Sequence, residues 1–229
     1  MRDCLPASLT DWLDRLNQGE LPGVFVTGTD TDVGKTYVSA RLLRDLSRRA
    51  QSRTLAPRKP VASGCLVDAK GHLWSEDIEH LYQACQGNVP RHSIGQHLYQ
   101  PAISPARAIE QAGDALTLSD LLSACEASPT SLRWVEGAGG FYSPLTPDAL
   151  NADLACALGF PVLLVVANRL GCLNQCRLTL EAIQHHGLTV AGVILNDVLT
   201  EADPDNAEDV QSMLPPSTFF AHLPHQPTR

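Results

Sequence analysis

The sequence has no block of basic residues and no hydrophobic run long enough to cross a membrane. The chain has 229 residues and a formal net charge of −8, so nucleic acid is not expected as a partner. The longest apolar run, residues 161–167, has only the length of a buried strand, and no membrane association is expected. The N-terminal residues lack the basic segment followed by an apolar one that is typical of a secretory signal.

The cysteines lack the pattern of a disulfide framework or of a structural zinc site. Their number is 7, which is odd, and the sequence contains no two C-x-x-C pairs. Reduced thiols fit this pattern better, and we therefore expect a cytoplasmic protein. Cys172 and Cys176 lie one helical turn apart, a spacing more typical of small packing residues when no histidine accompanies them.

A glycine-bounded loop, residues 28–36, organises the rest of the chain. Its sequence, GTDTDVGKT, follows an apolar run at residues 24–26 and precedes a helical pattern that starts at Tyr37. A strand, a glycine loop and a helix in this order bind phosphate, because loop N–H groups and the helix N-terminus attract an anion. Lys35 can reach the terminal phosphates, and the Thr36 hydroxyl can ligate magnesium. The loop has five residues between its glycines instead of the usual four.

Strands and helices alternate along the chain. Apolar β-rich runs predict strands at 24–27, 54–61, 132–135, 161–167, 190–195 and 217–221. Helical periodicity predicts helices at 37–50, 76–86, 106–112, 117–127, 151–158 and 172–186, with a loop at 65–71 and irregular structure at 90–105. This alternation predicts an α/β fold, a mostly parallel doubly wound sheet of the P-loop NTPase type with helices on both faces.

An amphipathic helix is predicted before the first strand, at residues 8–17. Its apolar positions Leu9, Trp12, Leu13 and Leu16 form one stripe, which we expect to dock on the core. We therefore expect an N-terminal helical extension over residues 1–22 and a single P-loop domain over residues 23–229.

Candidate metal ligands follow the predicted strands, at the sheet edge where ligands bind in parallel sheets. Magnesium held by a nucleotide takes one or two carboxylates, so Thr36, Asp77 and Glu136 are candidates. Glu136 comes directly off a strand, and the Gly-Ala-Gly-Gly after it allows close backbone approach. Asp77 also suits the first turn of a helix, and Glu76 is an equally plausible ligand from the same segment.

Two further residues follow strands at this edge. Lys59 stands before Pro60 and a Ser-Gly loop, where its charge can stabilise an anionic intermediate; the ordinary alternative is an exposed surface lysine. Asn196 can read a base edge, because an amide both donates and accepts. An Asn-Asp turn is the ordinary alternative there.

Five motifs occur in one order along the chain. They are TGTDTDVGKT at 27–36, KPVASG at 59–64, VEGAGG at 135–140, LGCLN at 170–174 and GVILND at 192–197. The first motif alone is shared with many P-loop proteins. Together the five resemble the dethiobiotin synthetase family, an enzyme family of biotin synthesis, and the resemblance covers residues 24–224.

The resemblance implies an ATP-dependent ligase reaction. A diaminononanoate is carboxylated by CO2 to a carbamate, the carbamate takes the ATP γ-phosphate, and the second amine closes the cyclic urea of dethiobiotin with release of ADP and phosphate. Magnesium is the implied cofactor and ATP the co-substrate. A homodimer is the implied assembly, with the substrate near its interface.

The resemblance also implies roles for single residues. It makes Lys59, Lys35 and Thr31 catalytic, and it makes Ser63, Thr31 and Asn174 substrate-binding, with Asn174 meeting the substrate carboxylate of the neighbouring subunit. The implied magnesium ligands are Thr36, Asp77 and Glu136. The implied nucleotide-binding residues are Asp32, Val33, Gly34, Lys35, Thr36, Tyr37, Asp77, Glu136, Gly137, Ala138, Gly139, Asn196, Asp197, Leu223, Pro224 and His225.

The sequence departs from the family pattern at a few positions. The family often has glutamate where this chain has Asp32, and His222 and His225 flank the last motif in place of more usual residues. The nucleotide preference therefore stays open.

Other P-loop classes fit the sequence less well. A cobyrinate-type amidation ligase usually carries a glutaminase domain, for which little chain follows residue 195. A dimerising switch ATPase of the partition type has an extra lysine early in its loop, where this chain has Thr29. A GTPase would have Asn-Lys-x-Asp, and residues 168–171 (NRLG) lack the aspartate.

Overall fold

The computed structural model describes residues 7–49, 53–215 and 218–225. Its helices are α1, Ala7–Asn17; α2, Lys35–Arg48; α3, Glu76–Ala84; α4, Arg91–Ile94; α5, Pro105–Ala112; α6, Leu118–Ala124; α7, Asn151–Leu158; α8, Cys172–His185; and α9, Asn206–Ser212. Its strands are β1, Gly23–Gly28; β2, Leu55–Arg58; β3, Val61–Ala62; β4, Leu66–Val67; β5, Leu73–Trp74; β6, His97–Leu98; β7, Leu132–Gly140; β8, Pro144–Thr146; β9, Ala149–Leu150; β10, Val162–Ala167; β11, Val190–Asn196; and β12, Phe219–Leu223.

A central parallel sheet confirms the predicted α/β fold class. Within the described residues it has the strand order β12-β11-β10-β1-β7-β2, and each neighbouring pair is parallel. Every residue of β1 and of β10 is buried, as expected for strands that helices cover on both faces. Parallel strands end at the same edge of a sheet, so the polar segments that follow them meet there.

Several predicted bounds need correction. The strand predicted at 54–61 ends at Arg58, because Pro60 has no N–H for a ladder hydrogen bond; β3 then pairs with β6 instead. The strand predicted at 132–135 continues to Gly140 as β7. The predicted loop at 65–71 contains β4, which forms an antiparallel pair with β5. The predicted irregular segment 90–105 contains α4 and β6.

Further elements were not predicted, and parts of some predictions fall outside the described residues. The structure adds α9 and the antiparallel pair of β8 and β9. Ala50, the predicted end of the second helix, and Ser217, the predicted start of the last strand, lie outside the described residues. Among the described residues, no helix is both long and apolar enough for a membrane crossing.

The apolar stripe of α1 packs into the main hydrophobic core, which confirms that this helix docks on the core. Leu9 and Leu13 are fully buried, and Trp12 is 7% exposed. The Trp12 ring stacks on Phe219 of β12 with 5.2 Å between the ring centroids, and it forms a T-shaped pair with the Trp134 ring of β7 with 6.4 Å between the centroids. The helix therefore shares one core with the sheet, and the domain boundary at residue 22 stays a prediction.

We expect Trp12→Ala to lower the free energy of unfolding by about 3–5 kcal/mol, because it leaves a cavity between α1 and the sheet. Urea denaturation followed by circular dichroism measures the change. Trp74→Ala is the matched control, since Trp74 is 39% exposed and loses less buried area. Equal losses in the two variants would contradict the inclusion of α1 in the core.

Candidate active site

Four predicted site residues converge at the edge of the sheet where β1, β7 and β2 end. Lys35 follows the loop after β1, Glu136 lies within β7, and Lys59 follows β2. Asp77 reaches the same place from the first turn of α3. Because β7 lies between β1 and β2 in the sheet, Glu136 stands between the phosphate loop and Lys59.

The loop after β1 has a backbone shape that depends on glycine. Gly34 has φ 87°, in the left-handed region that favours glycine, and a Cβ there would lie 2.3 Å from Nδ2 of Asn196. Asp32 also has a positive φ, 56°, which aspartate tolerates better than most residues. No side chain caps the N-terminus of α2, which begins at Lys35, two residues before the predicted start. Its first-turn N–H groups are therefore available to an anion.

The Lys35 ammonium is buried against the loop. The side chain is 7% exposed, and Nζ donates to the carbonyl oxygen of Asp30 at 3.0 Å. Burial, followed by repulsion from Lys59, lowers the pKa of Lys35 to about 8, although Glu136 and Asp77 oppose this shift. A phosphate bound beside Lys35 would supply the negative charge that favours its protonated form.

The Lys59 ammonium is held between two carboxylates. Nζ lies 2.8 Å from Oδ2 of Asp77 and 2.9 Å from Oε1 of Glu136. The Thr36 hydroxyl donates to the same Oε1 at 2.6 Å. Burial alone would lower the pKa of Lys59, but the charges of Glu136 and Asp77 prevail and raise it. Burial alone would raise the pKa of Asp77, and the Lys59 ammonium lowers it instead.

The first turn of α3 distinguishes between the two acidic candidates of that segment. The Ser75 hydroxyl caps α3 by accepting from the N–H of Ile78 at 3.5 Å. In this helical phase the Asp77 carboxylate meets Lys59, whereas Glu76 is exposed to solvent. Asp77 and not Glu76 therefore belongs to the cluster.

The oxygen donors of the cluster fit a hard divalent cation. Oε2 of Glu136 is fully buried and has no hydrogen-bond partner among the described residues. It lies on the same side chain that Thr36 and Lys59 contact. Hydroxyl and carboxylate oxygens are the ligands that Mg²⁺ prefers. Within the described ranges no three His, Cys, Asp or Glu side chains form a metal cluster, and a nucleotide-bound Mg²⁺ that keeps its waters does not require one.

The glycine-rich end of β7 lies against the phosphate loop. A Cβ on Gly140 would lie 3.4 Å from the Thr29 carbonyl oxygen and 3.5 Å from that of Gly28. Gly139 has φ 79°, and a Cβ there would lie 3.7 Å from Oγ1 of Thr31. Asn151, which sequence reasoning did not select, hydrogen-bonds to this segment; a buried asparagine gives no motif that would identify it.

The predicted nucleotide residues at the ends of β11 and β12 are neighbours. Nδ2 of Asn196 donates to the Val33 carbonyl oxygen at 3.1 Å, and its Oδ1 is buried without a partner among the described residues. Oδ1 of Asp197 accepts from Nδ2 of Asn168 at 2.8 Å and lies 2.8 Å from Nε2 of His222. Asn168, part of the GTPase-like tetrapeptide, therefore supports Asp197. Strand register places together Asn196, Asp197, Leu223, Pro224 and His225.

The predicted substrate residues Ser63 and Asn174 do not join the cluster through any described contact. Oγ of Ser63 donates to the Ile103 carbonyl oxygen at 2.6 Å, and Asn174 is exposed on the first turn of α8. In the part of the chain that the structure describes, no hydrogen bond or ion pair links Ser63 or Asn174 to Lys59. Thr31 lies on the phosphate loop beside Gly139.

Comparison with known proteins gives a family model and a similar fold. Residues 22–228 match the AAA_26 family, described as an AAA domain. The crystal structure of a ParA family ATPase from Chlorobium tepidum has a TM-score of 0.50, covering 89% of this chain and 84% of that chain. Its sequence identity is 13%, so this likeness shows the fold alone.

Several relatives are named ATP-dependent dethiobiotin synthetase BioD. The relative from Ralstonia nicotianae is 46% identical over 176 residues, 76% of each chain. The relative from Marinobacter nauticus is 42% identical over 175 residues, 75% of this chain and 74% of its own. The relative from Anaeromyxobacter dehalogenans is 38% identical over 212 residues, 90% of this chain and 91% of its own. Because these identities extend over most of each chain, the chain belongs to the dethiobiotin synthetase family.

Proposed function

We propose that this protein forms the cyclic urea of dethiobiotin from a 7,8-diaminononanoate, CO2 and ATP. The observation that carries the proposal is the cluster of Lys35, Lys59, Asp77 and Glu136 beside the phosphate loop, in a chain whose relatives are named dethiobiotin synthetases. Two ammonium groups at this place suit a reaction that must hold two anions side by side.

The reaction consists of three bond-forming steps. An amine of the substrate adds to CO2 and loses a proton, which gives a carbamate. A carbamate oxygen attacks the γ-phosphorus of ATP, and the bond to the β–γ bridging oxygen breaks to release ADP. The second amine then attacks the carbonyl carbon of the carbamic–phosphoric anhydride. Phosphate leaves with the electron pair of the C–O bond, and the attacking amine loses a proton as the ring closes.

The two lysines offset the repulsion between the carbamate and the triphosphate. Lys35 follows the glycine loop, and we assign it to the terminal phosphates. Lys59 comes from the end of β2, on the other side of Glu136, and we assign it to the carbamate and the transferring phosphoryl group. Thr31, on the phosphate loop beside Gly139, is assigned to the substrate and to catalysis. Phosphoryl transfer depends mostly on positioning and charge, which these groups supply.

Thr36, Asp77 and Glu136 would hold Mg²⁺ with the nucleotide. The buried Oε2 of Glu136, which lacks a described partner, supports this assignment. The cation would neutralise part of the triphosphate charge. Thr36 and Lys59 both contact Oε1 of Glu136, so this chain fixes the carboxylate from two sides.

The nucleotide base is assigned to the ends of β11 and β12. Asn196 already donates to the Val33 carbonyl oxygen, which leaves its Oδ1 as an acceptor for an amino group on the base. The backbone of the phosphate loop is assigned to the phosphates. The assigned nucleotide residues are Asp32, Val33, Gly34, Lys35, Thr36, Tyr37, Asp77, Glu136, Gly137, Ala138, Gly139, Asn196, Asp197, Leu223, Pro224 and His225.

We further assign Ser63 and Asn174 to the diamine substrate, with Asn174 acting across a homodimer. Leu170, on the turn before α8, is fully exposed, and Leu178 is 59% exposed. Asn174 and Leu178 are spaced by four residues and share one side of α8. A second copy of the chain would cover these leucines and bring its own Asn174 to the neighbouring site.

We place the enzyme in the cytoplasm. ATP is available there, and the cysteines of the described residues are free thiols: Cys65, Cys85, Cys125, Cys156, Cys172 and Cys176. Unpaired cysteines are typical of a reducing compartment.

We expect the purified protein to convert the diamine, bicarbonate and Mg-ATP into a cyclic urea, detected by mass spectrometry.

Lys35→Ala should abolish the product together with nucleotide binding, because the buried charge on the loop is lost. Full activity in Lys35→Ala would contradict the phosphate-loop assignment. ATP hydrolysis that needs no diamine and rises with DNA would instead favour a partition-type ATPase.

We expect Lys59→Gln to spare nucleotide binding while it lowers kcat by about 10²–10³-fold, the loss typical of removing one charge-stabilising donor. Steady-state kinetics give kcat, and titration with a fluorescent nucleotide gives Kd. Lys70→Gln, which changes an exposed lysine, is the matched control. Equal losses of nucleotide binding and turnover in Lys59→Gln would contradict this assignment and would indicate that Lys59 binds the nucleotide.

We expect Leu178→Asp to convert a dimer into a monomer and to raise KM for the diamine, since a charge would face the partner and remove Asn174 of that subunit from the site. Light scattering after size exclusion gives the mass. Leu199→Asp is the matched control because Leu199 is 60% exposed and belongs to the segment after β11 and not to α8. A wild-type protein that is monomeric at assay concentration would refute the dimer.

A further inference from the structure

The register of β7 against β1 changes next to Glu136. Val26 pairs with Glu136 and Gly28 pairs with Gly140, so two steps along β1 correspond to four along β7. The intervening residues 137–139 therefore bulge out of the ladder. A β-bulge removes ladder partners from the backbone groups that it contains, and buried groups need substitutes.

The Asn151 side chain supplies these substitutes. Its Oδ1 accepts from the N–H of Ala138 at 3.0 Å. Its Nδ2 lies 2.7 Å from the carbonyl oxygen of Ala138 and 3.1 Å from those of Gly140 and Ser143. The side chain is fully buried. A carboxamide has the donor and acceptor of a peptide group. The Asn151 side chain therefore hydrogen-bonds both the N–H and the carbonyl oxygen of Ala138, as a neighbouring strand would.

The bulge fits closely around this side chain. A Cβ on Gly137 would lie 2.3 Å from Oδ1 of Asn151, so Gly137 leaves the space that the carboxamide uses. The Ser143 hydroxyl accepts from the N–H of Gly140 at 2.8 Å. The backbone N–H of Asn151 donates to the Ser143 carbonyl oxygen at 3.1 Å. Asn151 is itself fixed as the first residue of α7.

The bulge connects two parts of the candidate active site. Glu136, with its contacts to Thr36 and Lys59, directly precedes it. Gly140, where the ladder resumes beside Gly28, directly follows it. The shape of the bulge therefore sets how the Glu136 carboxylate stands relative to the phosphate loop.

We propose that Asn151 is a positioning residue: its carboxamide fixes the bulge at residues 137–139 and through it the place of Glu136 against Thr36 and Lys59. The Asn151 side chain is fully buried and contacts backbone groups of the bulge and of Ser143, so it is not assigned to either reacting anion. Its effect on catalysis rests on the proposed function, whereas its effect on the bulge does not.

Asn151→Asp tests the proposal, because it keeps the size of the side chain but turns a donor towards three carbonyl oxygens into an acceptor. We expect the amide protons of Ala138 and Gly140 to exchange faster in NMR hydrogen exchange. We expect kcat to fall by about 10²-fold, the loss typical of a small displacement of reacting groups, and the Mg²⁺ concentration for half-maximal rate to rise. Asn151→Ser, which keeps a neutral donor, replaces it if the aspartate variant does not fold.

Leu154→Ala is the matched control. Leu154 is fully buried on the same helix, and its loss should lower Tm while kcat and the Mg²⁺ dependence below Tm stay unchanged. Unchanged exchange at Ala138 in the Asn151 variants, or kcat losses that follow Tm equally in the Leu154 variant, would overturn the proposal. A wild-type protein that makes no cyclic urea would refute the proposed function alone, and the exchange data would still decide the role of Asn151.

Discussion

The buried ammonium of Lys59 is the constraint on which the candidate site depends. It forms ion pairs with two carboxylates, those of Asp77 and Glu136, at 2.8 and 2.9 Å. Glu136 is fully buried, and a buried carboxylate without a partner would cost several kcal/mol. The Lys59 ammonium offsets this cost by pairing with Glu136. The chain can therefore keep a buried acidic group directly beside a phosphate-binding loop.

Separate elements of the fold position Lys59 and its partner Asp77. β2 ends at Arg58 and delivers Lys59, whose backbone N–H donates to the Ile94 carbonyl oxygen at 2.6 Å. Gly95 packs against the carbonyl group of Lys59, because a Cβ on Gly95 would lie only 2.8 Å from that oxygen. Both backbone groups of Lys59 are therefore in contact with residues 94–95. The cap of Ser75 on α3 turns Asp77 inward. The site is therefore held by backbone contacts and helix phase as well as by charge.

Sequence reasoning succeeded where local patterns decide the structure. The buried strands around residues 24–27, 161–167 and 190–195 are continuous apolar runs, and the glycine-bounded phosphate loop lies between a strand and a helix as predicted. It failed where distant residues decide. The bulge in β7 depends on Asn151, thirteen residues after Ala138, and no local pattern in VEGAGG reveals it. The choice of Asp77 over Glu76 required the helical phase that Ser75 sets, which the composition of the segment leaves open.

The comparison with a ParA family ATPase separates what the fold decides from what the residues decide. At 13% identity the two chains share only the fold, so the fold alone does not identify the reaction. The chain has three lysines, Lys35, Lys59 and Lys70, and two of them lie in the site. Thr29 occupies the loop position at which a partition-type ATPase has its extra lysine. The second cation comes instead from the end of β2, across Glu136 from the loop, and there it can face a second anionic substrate beside the nucleotide.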